Sequence, residues 1–269
     1  MSPMSAGKSK TSLSARLHLG FESGRRVSFQ AHVLTENGET ILEKMVKFYL
    51  LQYGRSDLIG PVYAAVRELV QNAIKANMKR ILFQELRVDP ANLADYNHGM
   101  EVFRQRLIRS QLRELEPRVV AENLHFKVSF VSRKDVLIIE VINRFGLYNA
   151  EENRIREKFV QAQDFDNLFD FYLQFGDAIE GAGMGIAMIV ILLKQAGLDP
   201  RCFSIFMGKD PECTIARLLI PFSSDFQTAR EWFDVIRTER KIDPEAMRLM
   251  IRDGSIQLPG FKPKIPHNI

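Results

Sequence analysis

At 269 residues the chain is long enough for one large domain, or a medium one with appendages, and it needs no disulfide or metal staple to close a core. A 46% apolar and 26% charged composition is ordinary for a soluble globular protein, and a formal charge of +4 without a long Lys/Arg run gives nucleic acid no support beyond the net charge. Cys202 and Cys213 are the only cysteines and lack zinc-ligand spacing, which fits a reducing cytoplasm; the polar, basic N-terminus and the short apolar run Ile186 to Leu193 predict neither a secretory signal nor a membrane span.

Residues 1 to about 20 are rich in Ser, Lys and Gly with no traceable periodicity, and read as a flexible tail. Val27, Phe29, Ala31 and Val33 then alternate with polar residues, the pattern of a half-buried strand. After Asn37-Gly38, the residues Ile41, Leu42, Met45, Val46 and Tyr49 predict an amphipathic helix ending near Gly54. Asp57 is a candidate cap for the next helix, which carries Pro61 in its first turns and extends toward Leu86, with Pro90 as the first strong stop. Along it, Glu68, Asn72 and Lys75 follow at spacings of four and three. A carboxylate, an amide and an ammonium therefore share one face, an arrangement suited to a metal-bound polyphosphate.

From Pro90 to about Val120, Leu93, Tyr96, Met100, Phe103 and Leu107 form one helical stripe, read as a helix packed on the domain or offered to a partner. His125 to Ser132 and Val136 to Asn143 predict two strands; the second, VLIIEVIN, is apolar on both faces and belongs in the centre of a sheet. Two helical patches lie between Leu147 and Glu180. Gly181, Gly183 and Gly185 then lead into an apolar helix ending at Gly197, so small residues let backbone N–H groups approach an anion at a helix N-terminus. Phe203 to Met207 and Thr214 to Ile220 predict a hairpin, Pro221 closes the sheet, and helices over Asp225 to Arg237 and Pro244 to Arg252 form an appendage, the second capped by Asp243.

Each of these features also has a plainer reading: Glu68 as a surface carboxylate, Lys75 as a solvated lysine, the glycines as a loose loop. A dinucleotide fingerprint fails because Met188 stands where the third glycine would follow Gly183 and Gly185, and no Walker-type run exists. Taken together, ELVQNAIKAN and GAGMGIAMIVILLKQAG, roughly a hundred residues apart with a strand pair between them, resemble the N box and second glycine box of the GHKL ATPases, closest to the histidine-kinase branch. The resemblance covers about residues 26 to 221. It implies a Bergerat-type α/β two-layer sandwich: a mixed, mainly antiparallel sheet with helices on one face. It further implies a tail over 1–20, an ATP-binding domain over 21–222 with a helical insert at about 88–122, and a helical extension over 223–269.

By the same resemblance, ATP and Mg²⁺ are the ligands: Asn72 holds the metal, Glu68 serves as general base, and Lys75 with Gly181, Gly183 and Gly185 contacts phosphate. The family's adenine-binding aspartate is replaced by Asn143, whose uncharged oxygen accepts more weakly; on this reading Asn143→Asp would strengthen binding. None of His18, His32, His98 and His125 sits in a dimerising phosphoacceptor hairpin, so autophosphorylation on histidine lacks support. The expectation is a cytoplasmic, nucleotide-binding, histidine-kinase-like regulator acting on a protein partner, with transfer of the γ-phosphate as its reaction. A pseudo-ATPase scaffold is the alternative, and a homodimer is left open.

Overall fold

A computed structural model describes residues 12–109, 111–175, 184–209 and 212–257. The chain divides into two compact units, Met1–Pro221 and Phe222–Ile269.

In the first unit, α1 (Leu13–Ser23), β1 (Val27–Ala31), α2 (Glu36–Gln52) and α3 (Ile59–Glu85) are followed by α4 (Leu93–Ile108) and α5 (Glu116–Ala121). Then come β2 (Phe126–Arg133), β3 (Val136–Asn143), α6 (Asn149–Gln163), α7 (Leu168–Phe175), α8 (Met184–Gln195), β4 (Phe203–Lys209) and β5 (Glu212–Pro221). The five strands form one sheet in the order β1-β2-β3-β5-β4. All neighbouring pairs are antiparallel, which corrects the mixed sheet expected from the sequence. The physical reason is the final hairpin. β3 and β4 run in the same direction across the helical crossover, but β5 folds back and inserts between them, leaving no parallel pair in contact.

The α/β class follows from how the two sheet faces are used. On one face Leu137, Ile139 and Val141 of β3 stand opposite Phe130 and Val128 of β2 and opposite Ala216, Leu218 and Ile220 of β5. Most of these side chains are fully buried, each worth roughly 1.5–3 kcal/mol of transfer free energy. α2 covers this face through Tyr49, which stacks on Phe130 at 5.4 Å between ring centroids, and α3 covers it beside β3. The opposite face carries a charge row. Glu140, only 4% exposed, accepts hydrogen bonds from Arg26 and Arg217. Burial alone would raise the Glu140 pKa, but the two guanidiniums override it and hold the carboxyl below its ordinary range.

Three local departures from expectation have physical causes. α1 occupies much of the segment read as a tail: Ser12 caps it, and Gly20 lets it close on the core, since a Cβ there would collide with Val27 and sit 3.2 Å from the Tyr49 hydroxyl. α2 starts at Glu36 because the Thr35 side chain accepts from the Gly38 amide, drawing Asn37-Gly38 into the first turn. Asp57 does not cap α3. Arg55 holds its carboxylate at 2.8–3.2 Å, and the 3-10 turn Ser56–Leu58 leads into the helix instead.

The second unit contains α9 (Ala229–Glu239) and α10 (Pro244–Asp253), packed around Met247 and Ile256 with Trp232, Phe233 and Ile236. α9 begins later than the sequence suggests because Thr228 and Glu231 form a reciprocal capping box. Asp243 caps α10 as expected. Among the described residues no helix is long and apolar enough to cross a membrane.

Candidate functional site

The long helix α3 presents Glu68, Asn72 and Lys75 along one wall of a cavity of about 550 Å³. β3 and β5 form its floor through Val141, Asn143, Thr214 and Ala216, and α8 contributes Met184, Gly185, Ile186 and Met188. The two segments singled out in the sequence therefore meet at one site. Their meeting depends on Gly185 in the first turn of α8: a Cβ there would run into Glu68 Oε1 and lie 2.7 Å from Asn72 Nδ2. Gly181 and Gly183 lie outside the described residues. Burial raises the Glu68 pKa above the usual carboxylate range, while Lys75 and Asn72 draw it partly back.

Asn143 ends β3 at the cavity floor and is 6% exposed. Its Nδ2 donates to the Ala73 carbonyl at 3.0 Å and to Asn77 Oδ1 at 2.7 Å, leaving Oδ1 without a protein donor among the described residues. Asn77, fully buried, passes its own amide to the Leu124 carbonyl at 3.2 Å. Across the sheet Thr214 pairs with Asn143 and donates to the Phe145 carbonyl at 2.8 Å. This network reverses one sequence expectation. Asn143→Asp would aim a carboxylate at two acceptor oxygens, so the variant should lose about 2–4 kcal/mol of stability at neutral pH, read by urea denaturation, and bind no more tightly.

The insert helix is part of the site. Tyr96, Met100, Phe103 and Leu107 line the cavity, while Leu93, in the same sequence stripe, is 67% exposed. α4 approaches the end of α3 closely at Gly99, where a Cβ would stand 2.9 Å from both Phe83 and Val88. Four cationic side chains line the cavity, Lys75, Lys79, Arg154 and Lys158, against two carboxylates, Glu68 and Glu151, so an anionic ligand is favoured. Among the described residues no group of three or more His, Cys, Asp or Glu could hold a metal by itself. A divalent ion here would rest on Asn72, ligand oxygens and water, the mode in which Mg²⁺ usually binds beside phosphates. The sequence reading missed Asn77, Lys79, Glu151, Arg154 and Thr214. Of these only Asn77 left a local signal, an amide in the apolar stripe of Val70, Ala73 and Ile74.

No family model matches the chain, and no solved structure matches it. An uncharacterized protein of Treponema pallidum (strain Nichols) is 30% identical over 195 residues, covering 70% of this chain and 37% of that relative. The chain thus spans little more than a third of the relative's length.

Proposed function

We propose that this chain binds Mg²⁺-ATP in the cavity between α3, α8 and the sheet, as a histidine-kinase-like member of the GHKL ATPases. The observation that carries the reading is the convergence of Glu68 and Asn72 with Gly185, brought so close that a Cβ at Gly185 would displace both side-chain tips. The donor set fits the ligand. Asn72 offers a carboxamide oxygen to the metal, while Lys75, Lys79, Arg154 and Lys158 attract the phosphates. Asn143 Oδ1, without a protein donor among the described residues, would accept from an exocyclic amine, and Val141, Ile205 and Ala216 offer an apolar bed for a base.

Bound Mg²⁺-ATP supplies an activated γ-phosphoryl group. Glu68 is the carboxylate positioned to take a proton from water or from a hydroxyl of a protein substrate, and its partial burial strengthens it as a base. Glu68→Gln should retain ATP affinity within about twofold and lower single-turnover hydrolysis or transfer at least about a hundredfold. Unchanged turnover would remove Glu68 from the chemistry.

The rival reading is a scaffold of the same fold that binds a signalling partner without catalysis. It is favoured by Asn143, an uncharged residue whose amide is committed to α3. A parent protein that binds Mg²⁺-ATP but shows no turnover with any Glu68 variant or wild type supports the scaffold.

A further inference from the structure

A buried ionic knot of Glu151 with Lys79 and Arg80 adjoins the cavity. Glu151, in the first turn of α6, has a side chain 7% exposed. It accepts from Lys79 Nζ, from Arg80 Nη2 at 2.9 Å and from the Tyr148 backbone amide at 2.9 Å. Arg80 also donates to the Gly146 carbonyl at 2.6 Å, and its guanidinium lies 3.4 Å from the centre of the Tyr148 ring and 4.5 Å from that of Phe145. Its Nε and Nη1 are buried without hydrogen-bond partners, so ring stacking and the Glu151 pair hold it in place. The knot therefore clamps the start of α6, and the loop that follows Asn143, onto α3.

One and two turns further along α6, Arg154 and Lys158 line the cavity with Lys79. We propose that Glu151 is a positioning residue through which the site discriminates ligands by phosphate number: by clamping the start of α6 onto α3 it holds Arg154 and Lys158 at the cavity lining, where their charge meets a polyphosphate. This rests on the nucleotide reading above. A group that acts only by holding cations toward phosphate alters affinity in proportion to ligand charge. A group that acts only on the fold alters all ligands alike.

The test is a calorimetric ladder of ATP, ADP and adenosine on the full chain, for the parent, Glu151→Gln and Arg154→Gln. Glu151→Gln should weaken ATP about tenfold or more, ADP by a few-fold and adenosine by less than about twofold. Because Glu151→Gln leaves Lys79 and Arg80 buried beside a neutral partner and can compromise folding, Arg154→Gln, at a half-buried position, should give the same graded order with a melting temperature lowered by no more than a few degrees for its lost hydrogen bond to Tyr96. Equal losses for all three ligands, or no loss in Arg154→Gln, would overturn the positioning role while leaving ATP binding intact. A parent that binds none of the three overturns the nucleotide reading and this inference together.

Discussion

Asn72→Ala is expected to lower Mg²⁺-ATP affinity at least about a hundredfold, near 2.7 kcal/mol, while the protein stays folded. Asn72 is half-buried on the cavity wall, and Ala is the better helix former, so α3 itself loses nothing by the change. The loss should vanish when affinities are compared in EDTA, because the amide serves the metal and not the base. Calorimetry with and without Mg²⁺ reads both quantities. Equal Mg²⁺-ATP affinity in variant and parent would contradict the role assigned to Asn72.

The second large effect is expected at Gly185. Alanine in a helix is ordinarily stabilising relative to glycine by roughly 0.5–1 kcal/mol. At Gly185 the added methyl meets Glu68 and Asn72, so either α8 moves away from α3 or the two side chains leave their places. ATP affinity should fall at least about tenfold, with stability lowered by about 1–3 kcal/mol. Gly60, in the first turn of α3 with open space around its Cβ position, is the control. Gly60→Ala should leave affinity unchanged. Equal behaviour of the two variants in denaturation and binding would show that α8 does not need its close approach.

What could be read from the chain and what could not divide along sequence distance. The Glu68/Asn72/Lys75 row, the doubly apolar β3 and the helix from Met184 are local patterns, and periodicity exposes them. α1 is also local, yet Gly20 interrupts its apolar stripe, and its reason lies in Val27 and Tyr49 across the fold. The all-antiparallel sheet depends on where β5 inserts, which no single strand records. That the Asn143 amide nitrogen is committed to α3 leaves no local trace, because its partners, Ala73 and Asn77, lie 70 and 66 residues away. The Glu151 knot spans 71 residues to Arg80, and the apolar face of α4 shows as a stripe in sequence without showing that it walls a cavity. Pair geometry of this kind is a tertiary property, and one sequence contains no direct signal for it.

The most direct test of the central claim is calorimetric titration of the full chain with ATP in the presence of Mg²⁺, matched by a thermal melt at millimolar ligand. A site of the kind proposed predicts saturable binding that weakens on chelating the metal, and a melting temperature that rises with ATP concentration by mass action. No heat of binding and an unmoved melting temperature at millimolar Mg²⁺-ATP would contradict it.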